Sequence, residues 1–182
     1  MHRLHPGMAA LALMLLTSAP ALAVDEPQGY RSAPYRAPVP ATLAGAPALS
    51  IAQAAELHAA GAVFVDVLPH ERRPEGLPEG TIWRSPPHRT IPGAIWLPGT
   101  GYDRIAPETE SWFHTALTAM TGGDRTAPIV IFCKADCWMS WNAAKRAQEL
   151  GFTHVRWFAE GQDGWAGAGL PLAEALPYPG AP

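Results

Sequence analysis

Apolar residues along this chain fall into short, sharply bounded runs, and their spacing alternates between two periods. Val63-Phe64-Val65-Asp66-Val67 and Pro128-Ile129-Val130-Ile131-Phe132 are β-branched and too short for helices, so they predict buried strands. Val155-Arg156-Trp157-Phe158 predicts a further strand, and Ile91-Pro92-Gly93-Ala94-Ile95-Trp96-Leu97-Pro98-Gly99 a turn feeding a short one. Between them the period becomes helical. Ser50-Ile51-Ala52-Gln53 has capping-box form, Ile51, Ala54, Ala55 and Leu57 follow on one side, and Gly61 is the stop. Trp112 to Met120 predicts a helix with Phe113, Ala116, Leu117 and Met120 on one face, closed by Gly122-Gly123. Met139 to Leu150 is the clearest helix. Met139, Ala143, Ala147 and Leu150 form its stripe, Lys145, Arg146, Gln148 and Glu149 lie opposite, and Gly151 ends it. Helices alternating with short apolar strands predict an α/β fold with a mainly parallel central sheet flanked by helices.

Other stretches follow neither period. Residues 1–23 combine a weakly positive start (His2, Arg3, His5), the uncharged run Met8 to Leu16, and Ala21-Leu22-Ala23. This is the form of a signal peptide cleaved before Val24, and the run is short of the roughly 20 apolar residues that span a bilayer. The expectation is a periplasmic protein with no membrane span after cleavage. Residues 24–48 predict a Pro-rich arm, extended in backbone, whose Tyr30, Tyr35, Val39 and Leu43 suggest that part of it packs on the domain. The domain itself is expected over 49–176, with a C-terminal tail at 177–182. From Pro69 to Thr90 the composition turns to Pro, Arg, Glu and His, which predicts a long functional or covering loop.

Net charge is −3 with both signs scattered, so the chain has no footprint for nucleic acid. Only two cysteines are present, Cys133 and Cys137, inside one short loop. A bridge so local restrains little of the unfolded chain, so a purely structural disulfide is a weak reading. In an oxidising compartment such a pair can interconvert between dithiol and disulfide.

Cys133 follows a predicted strand and precedes a predicted helix. Sites in open parallel sheets lie outside the carboxyl ends of the strands. The loop Cys133-Lys134-Ala135-Asp136-Cys137-Trp138 would direct backbone N–H groups inward, and the next helix adds its positive end. Both favour a thiolate at Cys133, with Lys134 adding positive charge. The plainer alternative is a buried structural cysteine. Cys133 and Cys137 are therefore the candidate catalytic residues, and Lys134, Ala135, Asp136 and Trp138 the rest of the active-site loop. Asp66 is expected to be a hydrogen-bonded turn residue. His70, Arg72, Arg73, His88 and Arg89 would form either an anion-binding rim or a solvated basic loop. The cysteine spacing matches no standard zinc finger, the histidines are scattered, and Cys137 precedes Trp138 rather than a haem-ligating histidine. No metal and no cofactor is expected.

Val63 to Val67, Ile91-Pro92-Gly93-Ala94, Ile131-Phe132-Cys133, Gly151-Phe152, Gly161-Gln162-Asp163-Gly164-Trp165 and Gly169-Leu170-Pro171, in that order, resemble a rhodanese (thiosulfate sulfurtransferase) domain over about residues 50 to 175. The resemblance implies the rhodanese fold, with Cys133 in the place of the cysteine that carries a persulfide. Tyr35-Arg36-Ala37-Pro38-Val39-Pro40, Trp96-Leu97-Pro98 and Cys137-Trp138-Met139-Ser140-Trp141-Asn142-Ala143-Ala144 further resemble the PQQ-dependent catabolism-associated CXXCW motif proteins, a family associated with periplasmic alcohol oxidation. That family's name implies two residues between the cysteines, whereas Lys134, Ala135 and Asp136 stand here. Sulfurtransferase loops usually have a glycine near the position of Asp136 and an arginine near that of Trp138. A carboxylate and an indole in those places predict poor use of thiosulfate, and a gain from Trp138→Arg.

Three readings follow. The first is a sulfur carrier built on Cys133. The second is a dithiol redox module in which Cys133 attacks and Cys137 resolves, with Cys133 alkylated first in the reduced protein. The third is a non-catalytic binding module on the same fold. The expected partner is a small sulfur compound or a periplasmic redox protein.

Overall fold

The computed structural model describes residues 24–71 and 73–181. The leader-like segment 1–23 and Arg72 of the proposed rim lie outside them. In chain order the elements are β1 (Thr42–Leu43), β2 (Ala46–Pro47), α1 (Ile51–Ala59), β3 (Val63–Asp66), β4 (His88–Thr90), β5 (Ile95–Trp96), α2 (Pro107–Met120), β6 (Ile129–Phe132), α3 (Trp138–Glu149), β7 (Val155–Phe158), α4 (Gly161–Gly167) and β8 (Ala173–Ala175). The central sheet has the order β5-β3-β6-β7. All of its pairings are parallel, as the alternation of elements predicts.

Strand alternation divides the core in two. Val65, Ile129, Ile131, Val155 and Trp157 pack with Phe113, Ala116 and Leu117 of α2 and Met139, Ala143 and Ala147 of α3. Phe64, Val130, Phe132 and Phe158 pack with Ala54 of α1 and Trp165 of α4 on the opposite face. Both faces of the sheet are covered, which is why its strands are continuous apolar runs rather than alternating ones.

The local signals act as expected at α1. Ser50 accepts the Gln53 N–H while the Gln53 side chain takes the Ser50 N–H, closing the capping box. Helix α2 starts five residues before its apolar stripe suggests. Pro107 at its first turn needs no N–H partner, and Glu108 and Glu110 favour the positive end of the helix.

The larger difference is at α3. Its presumed polar face is not solvated, because Arg146 is only 2% exposed. The guanidinium donates to the Thr100 carbonyl (2.6 Å) and the Tyr102 carbonyl (3.0 Å), and lies over the Tyr30 ring at 4.3 Å. Asn142 exchanges two 2.9 Å hydrogen bonds with the Arg31 backbone. Trp141 Nε1 donates to the Thr42 carbonyl. The arm thus supplies one wall of the core. It ends in the β1–β2 hairpin, whose turn residues Ala44 (φ 49°) and Gly45 (φ 76°) both give their N–H groups to Glu26. The C-terminal tail also packs. Tyr178 N–H donates to the Trp96 carbonyl, and Trp112 Nε1 to that of Pro179. Among the described residues, no helix is long and apolar enough to cross a membrane.

Candidate active site

Strand β6 ends at Phe132 and α3 begins at Trp138, so Cys133 to Cys137 is a strand-to-helix loop at the carboxyl end of the sheet. Asp136 takes a left-handed backbone (φ 50°), which curls the loop and turns its carboxylate to solvent. It is not the helix cap. Cys137 occupies that position.

Both cysteines are free thiols and both are buried, at 0% and 2% exposure. They influence each other's acidity, in opposite directions. Cys133 is pushed well above the ordinary thiol range, first by burial, then by the hydrogen bond and charge of Cys137, with the Asp66 carboxylate adding to the effect. Cys137 is lowered to about 7, first because the Cys133 side chain donates to it, against the opposing effect of burial. No capping bond closes on the neutral Cys137 thiol. The N–H groups of Met139, Ser140 and Lys134 nevertheless lie near enough to favour its negative form. Burial opposes a thiolate at Cys133, whereas the helix N-terminus favours one at Cys137. Position decides it. Cys133 is still at the end of a buried strand, whereas Cys137 stands at the helix N-terminus.

The remaining loop residues have distinct places. Lys134 and Ala135 are half-buried, and Ala135 N–H donates to Asp163 of α4 (3.2 Å). Trp138 is 3% exposed, donates from Nε1 to the Pro38 carbonyl (3.0 Å) and packs edge-on against Trp141. The arm runs directly over this loop. Arg36 and Cys137 form an antiparallel bridge, Ala37 N–H donates to the Asp136 carbonyl (3.1 Å), and Trp138 N–H donates to the Tyr35 carbonyl (2.9 Å). From the other side α4 closes in. Gln162 N–H donates to the Cys133 carbonyl (2.9 Å), and a Cβ on Gly161 would stand 2.1 Å from that oxygen.

A model of the rhodanese-like domain matches residues 50–168. The chain belongs to the rhodanese-like family. Human Single Domain Sulfurtransferase TSTD1 is a similar solved structure, at 24% identity and a TM-score of 0.40, over 68% of this chain and 97% of that one. A search of curated proteins found no match.

Beyond the cysteine loop of this rhodanese-like domain, the residues expected as a rim separate. His70, His88 and Arg89 line a cavity of about 1010 Å³ together with Lys134, Gln162, Leu68, Trp96 and the segment Glu174 to Pro177. Arg73 instead turns to the Pro78 carbonyl. Asp66 exceeds its expected role as a turn residue. Fully buried, it accepts from Leu68 N–H (2.9 Å) and Thr90 Oγ1 (2.6 Å), and pairs with His88 Nε2 (2.8 Å). The role of Gln162 was not legible from its residue type, and the aromatic and apolar residues of the arm suggested packing on the domain but not that it covers the cysteine loop. Only the ordered glycine motif around 161–165 hinted at the first.

Proposed function

We propose that this protein moves sulfane sulfur on its cysteine pair, with Cys137 as the attacking thiolate. The observation that carries the reading is the placing of two buried free cysteines, Cys133 directly after β6 and Cys137 at the N-terminus of α3. Burial disfavours the anion at the first sulfur, and the neighbouring thiol and loop amides favour it at the second. Membership of the rhodanese-like family supports sulfur transfer as the reaction class.

In the first step the Cys137 sulfur attacks the sulfane sulfur of a donor. A new S–S bond forms, the donor's own S–S bond breaks, and its electron pair leaves with the donor thiolate or sulfite. Cys137 then carries a persulfide. An acceptor can take the outer sulfur, returning the Cys137 thiolate. Alternatively, Cys133, once deprotonated, attacks the inner sulfur. That expels hydrosulfide and leaves a Cys133–Cys137 disulfide, which an external dithiol must reduce.

Intact mass after exposure to inorganic polysulfide tests this. Wild-type protein and Cys133→Ser should gain one sulfur, and Cys137→Ser should not. Retention of sulfur by Cys137→Ser but not by Cys133→Ser would put the persulfide on Cys133, as the family resemblance implies. If both single variants and the double variant keep full biological activity, the domain is a binding module.

The setting we propose is the periplasm, accessory to PQQ-dependent alcohol oxidation. It rests on the signal-like segment 1–23 and on the resemblance carried by Tyr35 to Pro40 and Cys137 to Ala144. N-terminal sequencing of fractionated protein should find Val24 first, and finding Met1 would end the export reading.

A further inference from the structure

The cysteine chemistry leaves one buried ionisable pair without a task. His88 comes from β4, at the end of the long loop after β3, and its side chain is 8% exposed. Nε2 of the imidazole meets the fully buried Asp66 carboxylate at 2.8 Å. The ring stacks on Trp96 with centroids 3.9 Å apart and planes 18° from parallel. Trp96 is itself tied by Nε1 to the Leu68 carbonyl. The carboxylate is fixed in turn by Thr90 Oγ1 and Leu68 N–H. A ring clamped on one face and hydrogen-bonded through Nε2 is held in one tautomer, which leaves Nδ1 as the proton acceptor. A buried histidine supported this firmly, on the wall of an open cavity, is arranged as a base rather than as packing.

That cavity reaches the cysteine loop. Lys134, the residue after Cys133, lines it, as does Gln162, which holds the Cys133 carbonyl. Asp66 pairs with Phe132 across β3 and β6, so the carboxylate and Cys133 stand at neighbouring strand ends. Leu68, Pro69, Pro86, Pro87, Leu172 and Pro177 make much of the wall apolar. Its ionisable groups, besides His88 and Asp66 behind it, are His70, Glu71, Arg89, Lys134 and Glu174, two fixed cations against two carboxylates. A balanced, apolar-walled space of about 1010 Å³ suits a small organic molecule better than a bare inorganic dianion.

We propose that His88, oriented by Asp66, is the base that deprotonates a thiol acceptor entering this cavity. The proposal rests on the sulfur-transfer reading above. A free thiol is largely protonated at neutral pH and must lose its proton to attack. His88 Nδ1 takes the proton from R–SH. The resulting R–S⁻ attacks the outer sulfur of the persulfide on the cysteine loop, and that S–S bond breaks with its electron pair returning to the cysteine. The proton on His88 passes to the departing R–S–S⁻. Mass and charge balance with no external oxidant.

The test separates loading from transfer. Wild-type protein and variants are loaded with inorganic polysulfide, desalted, and the persulfide is counted by intact mass. Discharge is then timed with 2-mercaptoethanol and, in parallel, with sulfite, a nucleophile already deprotonated. His88→Gln should load normally, lose about 10²-fold in discharge to 2-mercaptoethanol, and keep its rate with sulfite. Added imidazole should restore part of the rate to His88→Ala. His154→Gln, at an exposed histidine outside the cavity, should behave as wild type. Equal slowing with both acceptors, or no slowing with either, overturns the assignment of His88. Wild-type protein that never loads overturns the carrier reading itself, and this inference with it.

Discussion

Cys133 follows directly on a buried strand and Cys137 occupies the N-cap of the next helix, and this difference in place shifts the acidities of two otherwise similar side chains in opposite directions. It places the reactive anion at the helix N-terminus rather than at the strand end. In reduced protein, limiting iodoacetamide should therefore label Cys137 first, with a midpoint in pH near 7. Cys133→Ala removes the donor and should move that midpoint up toward the ordinary thiol range. The sign for stability is that of a depressed acid. The thiolate's contribution is complete above the ordinary thiol value and is lost as pH falls through about 7. Peptide mapping that finds Cys133 labelled first would refute the assignment.

The arm lies against the loop that carries Cys137. The Ala37 N–H bond to the Asp136 carbonyl is one of the ties that hold it down. Ala37→Pro removes that N–H, and the Asp136 carbonyl, on an exposed residue, can turn to water. The expected outcome is several-fold faster alkylation of Cys137 with the melting temperature lowered by only a few degrees. An unchanged alkylation rate would show that the sulfur is reached by another path.

Trp138→Arg was expected, from loop composition alone, to improve the use of thiosulfate. The packing of Trp138 argues against that gain. The indole lies under the arm, bonded to the Pro38 carbonyl and packed on Trp141, with the Arg31 guanidinium 5.6 Å from its centre. An arginine there would be buried beside another cation. The variant should lose roughly 2–4 kcal/mol of stability in denaturant titration and gain no thiosulfate turnover. Rapid turnover would mean that the side chain swings into the loop.

Gly161 is needed for two reasons that act together. Its φ of 52° is costly for other residues, and its missing side chain lets α4 approach the Cys133 carbonyl. Gly161→Ala should destabilise the protein by about 2 kcal/mol or more and disturb the cysteine loop. Gly167→Ala, where nothing lies within 4 Å of the added carbon, is the matched control and should be nearly silent.

Much of the architecture was written in local pattern. The strands at 63–66, 129–132 and 155–158 and the helices at 51–59 and 138–149 follow from runs, caps and stops that each segment carries itself. The cysteine loop was legible for the same reason, since a strand and a helix bracket it. Helix α4 was not, because Gly161, Gly164 and Gly167 have poor helix propensity and look like a turn. What makes that stretch helical is its docking beside Cys133. The β4–β8 pair, joining residues 88–90 to 173–175, was equally hidden, because no local period marks so distant a pairing.

By itself, then, the sequence determined the alternation of strands and helices, the parallel sheet they imply, and the placing of both cysteines where sheet and helix meet. Tertiary structure decided how deeply each cysteine is buried, because desolvation depends on what packs over the loop. It also decided that Arg146 is buried, that the arm covers the loop, and that Asp66 and His88, 22 positions apart, form one pair. Those relations arise from contacts between segments distant along the chain, and neither the type of a residue nor its spacing from its neighbours encodes them.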